Sequence, residues 1–133
     1  MAASYGIDTS ILVRLVTGDP EEGFDRCVAS LARLIEREDA EVFASNTVIG
    51  EAYVALQHHY GATKPEARSG LESVLQSGLV APLNGHAVLD ALAQGSGAGL
   101  FDRLIADDYR RRGLVTLTLD RKMATLSEAR LLK

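Results

Sequence analysis

Leu114-Val115-Thr116-Leu117-Thr118-Leu119-Asp120 is the stretch on which the fold turns. Branched residues crowd it and an acid follows it, which predicts a strand over 114–119 with a carboxylate just past its end. A helix from about Leu100 to Arg112, stopped by Gly113, precedes it. A short helix around Met123 and a last strand near Leu131 follow. The start of the chain repeats this order. Ser4 to Ile7 reads as a short strand, and Asp8-Thr9-Ser10 supplies caps for an apolar segment from Ile11 to Val16.

Between these ends, strands and helices alternate. After a turn at Thr17-Gly18-Asp19-Pro20, Phe24, Cys27, Val28, Leu31, Leu34 and Ile35 recur at helical spacing within 21–38, predicting an amphipathic helix that packs one face. Glu41 to Ala44 is a brief strand. Ser45-Asn46-Thr47 caps a helix running to about Tyr60, with Gly61 as its stop. Thr63 and Glu66 form a capping box around Pro65, opening a helix that ends near Gly78. Leu79 to Ala81 is a strand closed by Pro82, Asn84 caps a helix to Gln94, and Gly95 to Gly99 reads as a flexible break. Alternation with crossover helices predicts an α/β fold: a mainly parallel central sheet with helices on both faces, three layers deep. Ligands of such sheets sit beyond the carboxyl ends of the strands.

With 133 residues, 47% of them hydrophobic and 24% charged, the chain is expected to form one domain over residues 1–133. Cys27 is the single cysteine, so no intramolecular disulfide is available, and its helical setting reads as a half-buried structural thiol. No apolar run approaches the roughly 20 residues of a membrane span, and Met1-Ala2-Ala3-Ser4-Tyr5 is no basic leader. A cytoplasmic location is expected. The net charge of -4 excludes nucleic-acid binding by bulk electrostatics alone. Its distribution is uneven: residues 1–60 carry ten acids and four bases, against eight acids and ten bases in residues 61–133.

Four acids fall where the fold places ligands. Asp8 follows the first strand, Asp120 follows the 114–119 strand, Glu51 lies in the first turns of the helix after the second strand, and Asp102 opens a late helix. Mg²⁺ takes hard oxygen ligands and keeps several waters, so carboxylates from separate elements suit it, with a substrate phosphate completing the shell. Asp8 and Asp102 also have a plain structural use at helix starts. Glu51 lies in the apolar run Val48-Ile49-Gly50-Glu51-Ala52-Tyr53-Val54, which makes an ordinary surface role harder to assign.

These residues resemble the PIN-domain nucleases, and among them the VapC-like toxins of bacterial toxin-antitoxin modules. Ile7-Asp8-Thr9-Ser10-Ile11-Leu12-Val13-Arg14 is similar to the family's strand-end Asp, Thr and usually Asn, with Ser10 in place of that Asn. The Glu51 segment resembles the motif glutamate, Phe101-Asp102-Arg103-Leu104-Ile105-Ala106 the third motif, and Thr118-Leu119-Asp120-Arg121-Lys122-Met123 the fourth. The resemblance implies a metal-dependent endoribonuclease whose Asp8, Glu51, Asp102 and Asp120 bind Mg²⁺, with Mn²⁺ able to substitute. It further implies an RNA substrate, a cognate antitoxin that inserts over the acids, and a homodimer. Many relatives carry an acid where this chain has Gly99 and another where it has Lys122.

Around the acids, Ser10 and Thr118 either hydrogen-bond a ligand carboxylate or serve the commoner purpose of capping and turn formation. The run Arg110-Arg111-Arg112 at a helix end ordinarily serves a solvated face, and together with Arg103, Arg121 and Lys122 it is a candidate contact to RNA phosphates. His58, His59 and His86 make no metal set, and Tyr53, Tyr60 and Phe101 read as packing. Two competing readings remain: a PIN fold that has lost turnover and only binds a partner, supported by Gly99, and a receiver-like phosphoacceptor. The second wants an acidic pair near the first strand, where Asp8 stands alone.

Overall fold

A computed structural model describes residues 3–132. Met1 and Ala2, which open the segment read as no basic leader, lie outside the described residues. Strand β1 (Ser4–Gly6) leads into α1 (Thr9–Thr17), α2 (Glu21–Glu38), β2 (Glu41–Ala44), α3 (Asn46–Tyr60) and α4 (Lys64–Leu75). Strand β3 (Ala81–Pro82), α5 (His86–Ala93), α6 (Leu100–Arg111), β4 (Thr116–Thr118), a 3₁₀ turn (Met123–Thr125) and β5 (Ala129–Leu131) complete the order. Among the described residues every strand pairing is parallel, and the expected three-layer α/β/α arrangement is found.

Local chemistry explains the boundaries. Asp8 caps α1 by accepting from the Ile11 N–H, and Ser45 caps α3 by accepting from the Val48 N–H. At the other end of α3, Gly61 sits at φ 68°, a left-handed backbone that a side chain would strain, and its cap N–H donates to the Leu56 carbonyl. The Thr63–Glu66 capping box forms as the sequence predicts. The buried side chains Leu12, Ile49, Leu71, Leu104, Val80 and Val88 come from five helices and the β3 approach, so one core ties the elements together. Helix α2 contributes mainly Leu31, with Phe24, Cys27, Val28 and Ile35 packed beside it, as a one-faced helix should.

Several details depart from the sequence reading. Helix α4 stops at Leu75, short of Gly78, because the Ser77 hydroxyl and N–H both bond back to the Val74 carbonyl and close the end. The third strand is Ala81–Pro82, not Leu79–Ala81. Pro82 has no N–H, so the Leu83 N–H carries the ladder to the Ala44 carbonyl. Asn84 does not cap α5; Gly85 holds that position with no side-chain cap, and the Asn84 amide turns toward α6. The glycine-rich loop is tethered where flexibility was expected: the Arg103 guanidinium donates to the Ser96 and Ala98 carbonyls.

The largest departure is in the sheet. Strands β1-β2-β3 form one ladder, and β4-β5 form another. Strand β4 retains only Thr116–Thr118 of the predicted 114–119 run, and Leu117 and Leu119 stay 54% and 82% exposed. Branched residues favour extended backbone, but packing decides how much of it pairs.

Candidate nuclease site

Asp8 stands at the carboxyl end of β1, where its Oδ1 accepts from the Ser10 hydroxyl at 2.6 Å and the Ile11 N–H at 3.2 Å. Those two bonds, Ser10's first, hold its carboxyl below the ordinary aspartate range, so it is ionised at neutral pH. Ser10 therefore touches the acid it was expected to support. The next residue, Thr9, donates its hydroxyl to Glu51 Oε2 at 3.4 Å, which links the start of α1 to the second turn of α3. Glu51 lies on the exposed side of α3 while its neighbours Ala52 and Tyr53 turn inward. The apolar run around it thus belongs to the core face, and Glu51 itself faces solvent.

Asp102 is half-buried in the first turn of α6. Helices α3 and α6 meet closely beside it: a Cβ added at Gly50 would fall 2.7 Å from Phe101 Cζ. Gly50→Ala is therefore expected to cost about 1–3 kcal/mol by overpacking. A urea titration showing no loss in Gly50→Ala would place the ring elsewhere. Asp102 shares a cleft with Lys64 and Arg68 of α4 and the backbone of residues 97–99. The sequence reading did not single out these two bases, because they come to line the same cleft as the acid through the packing of α4 against α3, which has no local signal.

Asp120 lies beyond β4, outside the three-stranded sheet, and its Oδ1 accepts from the Lys122 and Met123 N–H groups. Thr118 Oγ1 in turn accepts from the Asp120 N–H at 3.0 Å, which is turn formation. The structure joins Asp8 to Glu51 through Thr9. It does not draw Asp102 and Asp120 into the same group, and among the described residues no three His, Cys, Asp or Glu side chains gather closely enough to hold a metal ion. The donor chemistry at Asp8 and Glu51 nevertheless suits Mg²⁺, which needs only one or two protein carboxylates when waters and phosphate fill its shell.

The sequence profile of the PIN domain matches residues 5–129, from β1 to the start of β5. The chain belongs to the PIN domain family. PIN domains are typically metal-dependent nucleases acting on nucleic acid, and in this PIN domain the profile runs through all four acids. No curated protein matches the chain. Among the described residues no helix is long and apolar enough to cross a membrane.

The basic candidates of this PIN domain divide by their contacts. Arg103 is spent on the glycine-rich loop, and Arg111 donates through Nε to Asp107 Oδ2 at 3.2 Å and through its Nη2 to the Asn84 carbonyl. Arg110 lies 3.9 Å from Asp107. Arg112, Arg121 and Lys122 are exposed.

Burial pushes the Asp107 carboxyl up, but bonds from Asn84, Asn46 and Arg111 and the guanidinium charge outweigh it and leave it below the ordinary range. Glu66 is also lowered, first by the Thr63 N–H. A carboxylate held low in the folded state contributes stability above its unfolded pKa and loses it as pH falls through the folded value. With Asp8, Glu66 and Asp107 all shifted down, the urea midpoint should be level from neutral pH to about 5 and fall below about 4. A midpoint that rises on acidification would contradict these assignments.

Proposed function

We propose that this PIN domain, a single domain over residues 1–133, is a metal-dependent endoribonuclease acting as the toxin of a toxin-antitoxin module in the cytoplasm. The observation that carries this reading is Asp8 at the end of β1, its Oδ1 held by the Ser10 hydroxyl and the Ile11 N–H, with Glu51 joined to the same turn through Thr9. Asp8 and Glu51 would hold Mg²⁺ or Mn²⁺, with Asp102 and Asp120 as the further acids. Such an ion, when bound, lowers the pKa of a water and stabilises charge on the departing oxygen. The protein's own groups do the rest. Ser10 and the Ile11 N–H fix the Asp8 carboxylate in one orientation, and Thr9 does the same for Glu51. Lys64 and Arg68 supply positive charge for a phosphate beside Asp102.

An RNA panel incubated with Mg²⁺, Mn²⁺ or chelator tests the activity. Cleavage that requires the ion is expected, and intact RNA throughout the panel with both ions rejects it. The competing reading, a PIN fold that binds without cleaving, is favoured by the spread of the four acids and by Gly99, and it is what that negative result would leave standing. For the toxin role, induced expression should arrest growth, and a small protein encoded next to it should relieve the arrest by covering the acidic rim. Homodimerisation belongs to the same proposal and is read from light scattering.

Replacing Arg112, Arg121 and Lys122 together with Gln should weaken RNA binding and flatten its salt dependence by about 0.7 in log-log slope for each phosphate no longer neutralised. An unchanged slope would remove these residues from the RNA surface.

A further inference from the structure

The β4–β5 ladder is built inside out. Along β4 the buried side chain is Thr116, 2% exposed and with no partner for its hydroxyl among the described residues, while Val115, Leu117 and Leu119 are exposed. Successive side chains of a strand alternate between its faces, so 115, 117 and 119 share the outer one. The register sets Leu117 beside Arg130, and one pair of residues either way it sets Val115 beside Glu128 and Leu119 beside Leu132. All six are exposed, whereas Thr118, Ala129 and Leu131 on the inner face are half-buried. A slip of one residue would bury the three apolar side chains of β4 and free the threonine. The chain does not make that slip. Burying an unpaired hydroxyl while baring leucines is costly, so packing within one copy does not account for this register.

We infer that the outer face of β4–β5 is the contact between two copies of this chain, stacked sheet on sheet about a two-fold axis. The inference rests on the homodimer of the proposed function and names its surface. Area favours it. Val115, Leu117, Leu119 and Leu132 are between 53% and 82% exposed. Together they bare on the order of 400 Å² of apolar surface, a size at which a patch on a monomer is usually a binding face. Two such faces with their polar rims bury about 1,000–1,200 Å², the lower bound of a specific interface. Charge favours a second copy in particular. Glu128 and Arg130 are the charged residues of the six, and neither forms an ion pair among the described residues. A two-fold axis crossing the ladder at Ala129 sets each Glu128 opposite the partner's Arg130, so the face complements itself, as an isologous contact requires. Its charges cancel, which makes it a poor surface for RNA. Leu117, Ala124 and Leu132 also border a groove of about 590 Å³, which seats apolar side chains from a second sheet.

Sedimentation equilibrium of the full chain tests the face. The wild-type chain should be a dimer at micromolar concentration. Leu117→Glu/Leu119→Glu should weaken association roughly 100-fold or more, the effect of losing two central apolar contacts. Both residues are exposed in the single copy, so the variant should stay folded. Glu128→Arg or Arg130→Glu alone sets like charges face to face at both ends of the contact and should loosen the dimer about tenfold. The double exchange should restore it. A monomeric wild-type chain gives the face to some other protein and overturns the proposal. A dimer untouched by Leu117→Glu/Leu119→Glu overturns it too, while leaving homodimerisation itself standing, and so does a double exchange that adds the two losses in place of rescuing them. RNA cleavage is read in none of these arms, so the nuclease reading stands or falls separately.

Discussion

Asp8→Asn lowers metal-dependent RNA cleavage by roughly 100-fold or more, the range seen when one charge-stabilising group is removed from a reacting site. The fold survives, for a reason visible at the start of α1. Asp8 caps this helix through Oδ1, which accepts from the Ile11 N–H and the Ser10 hydroxyl. Asparagine presents the same oxygen at the same distance from the backbone and ranks with aspartate as an N-cap. Only the charge is lost. Cleavage rates and urea midpoints measured on one preparation separate the two effects. Wild-type turnover by a folded Asp8→Asn protein would take Asp8 out of the site, and the proposed function with it.

Leu12→Ala should destabilise the chain by about 2–5 kcal/mol, the cost of a cavity where a buried leucine cannot be replaced by collapse of its surroundings. Leu12 is fully buried, one turn beyond Asp8, in a helix packed against α2, α3 and α4. Its side chain therefore supports the element that presents Asp8 and Thr9. At this size such a loss should lower Tm by roughly 10 °C or more, read by calorimetry. A shift of only a degree or two would mean that α1 is anchored from elsewhere. Because Thr9 reaches Glu51 at 3.4 Å, a loosened α1 should also reduce cleavage at temperatures where the protein is still folded.

Asp8 is directly legible in the sequence, since a strand followed by Asp-Thr-Ser and an apolar run marks both a cap and a strand-end carboxylate. The 3.6-residue period set α2 at 21–38, and the capping box set the start of α4 at Lys64. Asn84 shows the limit of such local signals. Its residue type suits a helix cap, yet its amide bonds to Asp107 and Asp108, more than 20 residues away, and a glycine opens α5. Arg103 read as a candidate contact to RNA phosphates, and nothing along the chain signals that the Ser96 and Ala98 carbonyls hold it. Glu51 was legible as an unusual acid, though the apolar residues around it serve the opposite face of α3.

Sequence alone settled what is encoded by neighbours along the chain: the order of strands and helices, their caps and stops, the α/β class and the kinds of acid available at strand ends. Tertiary structure decided what depends on elements meeting. It linked Asp8 to Glu51, set Asp102 in one cleft with Lys64 and Arg68, kept β4 off the three-stranded sheet, and gathered two asparagines around two aspartates. The physical reason is range: helical periodicity and capping act within a few residues, whereas packing and hydrogen bonding between distant segments are chosen only once the whole chain has closed on its core.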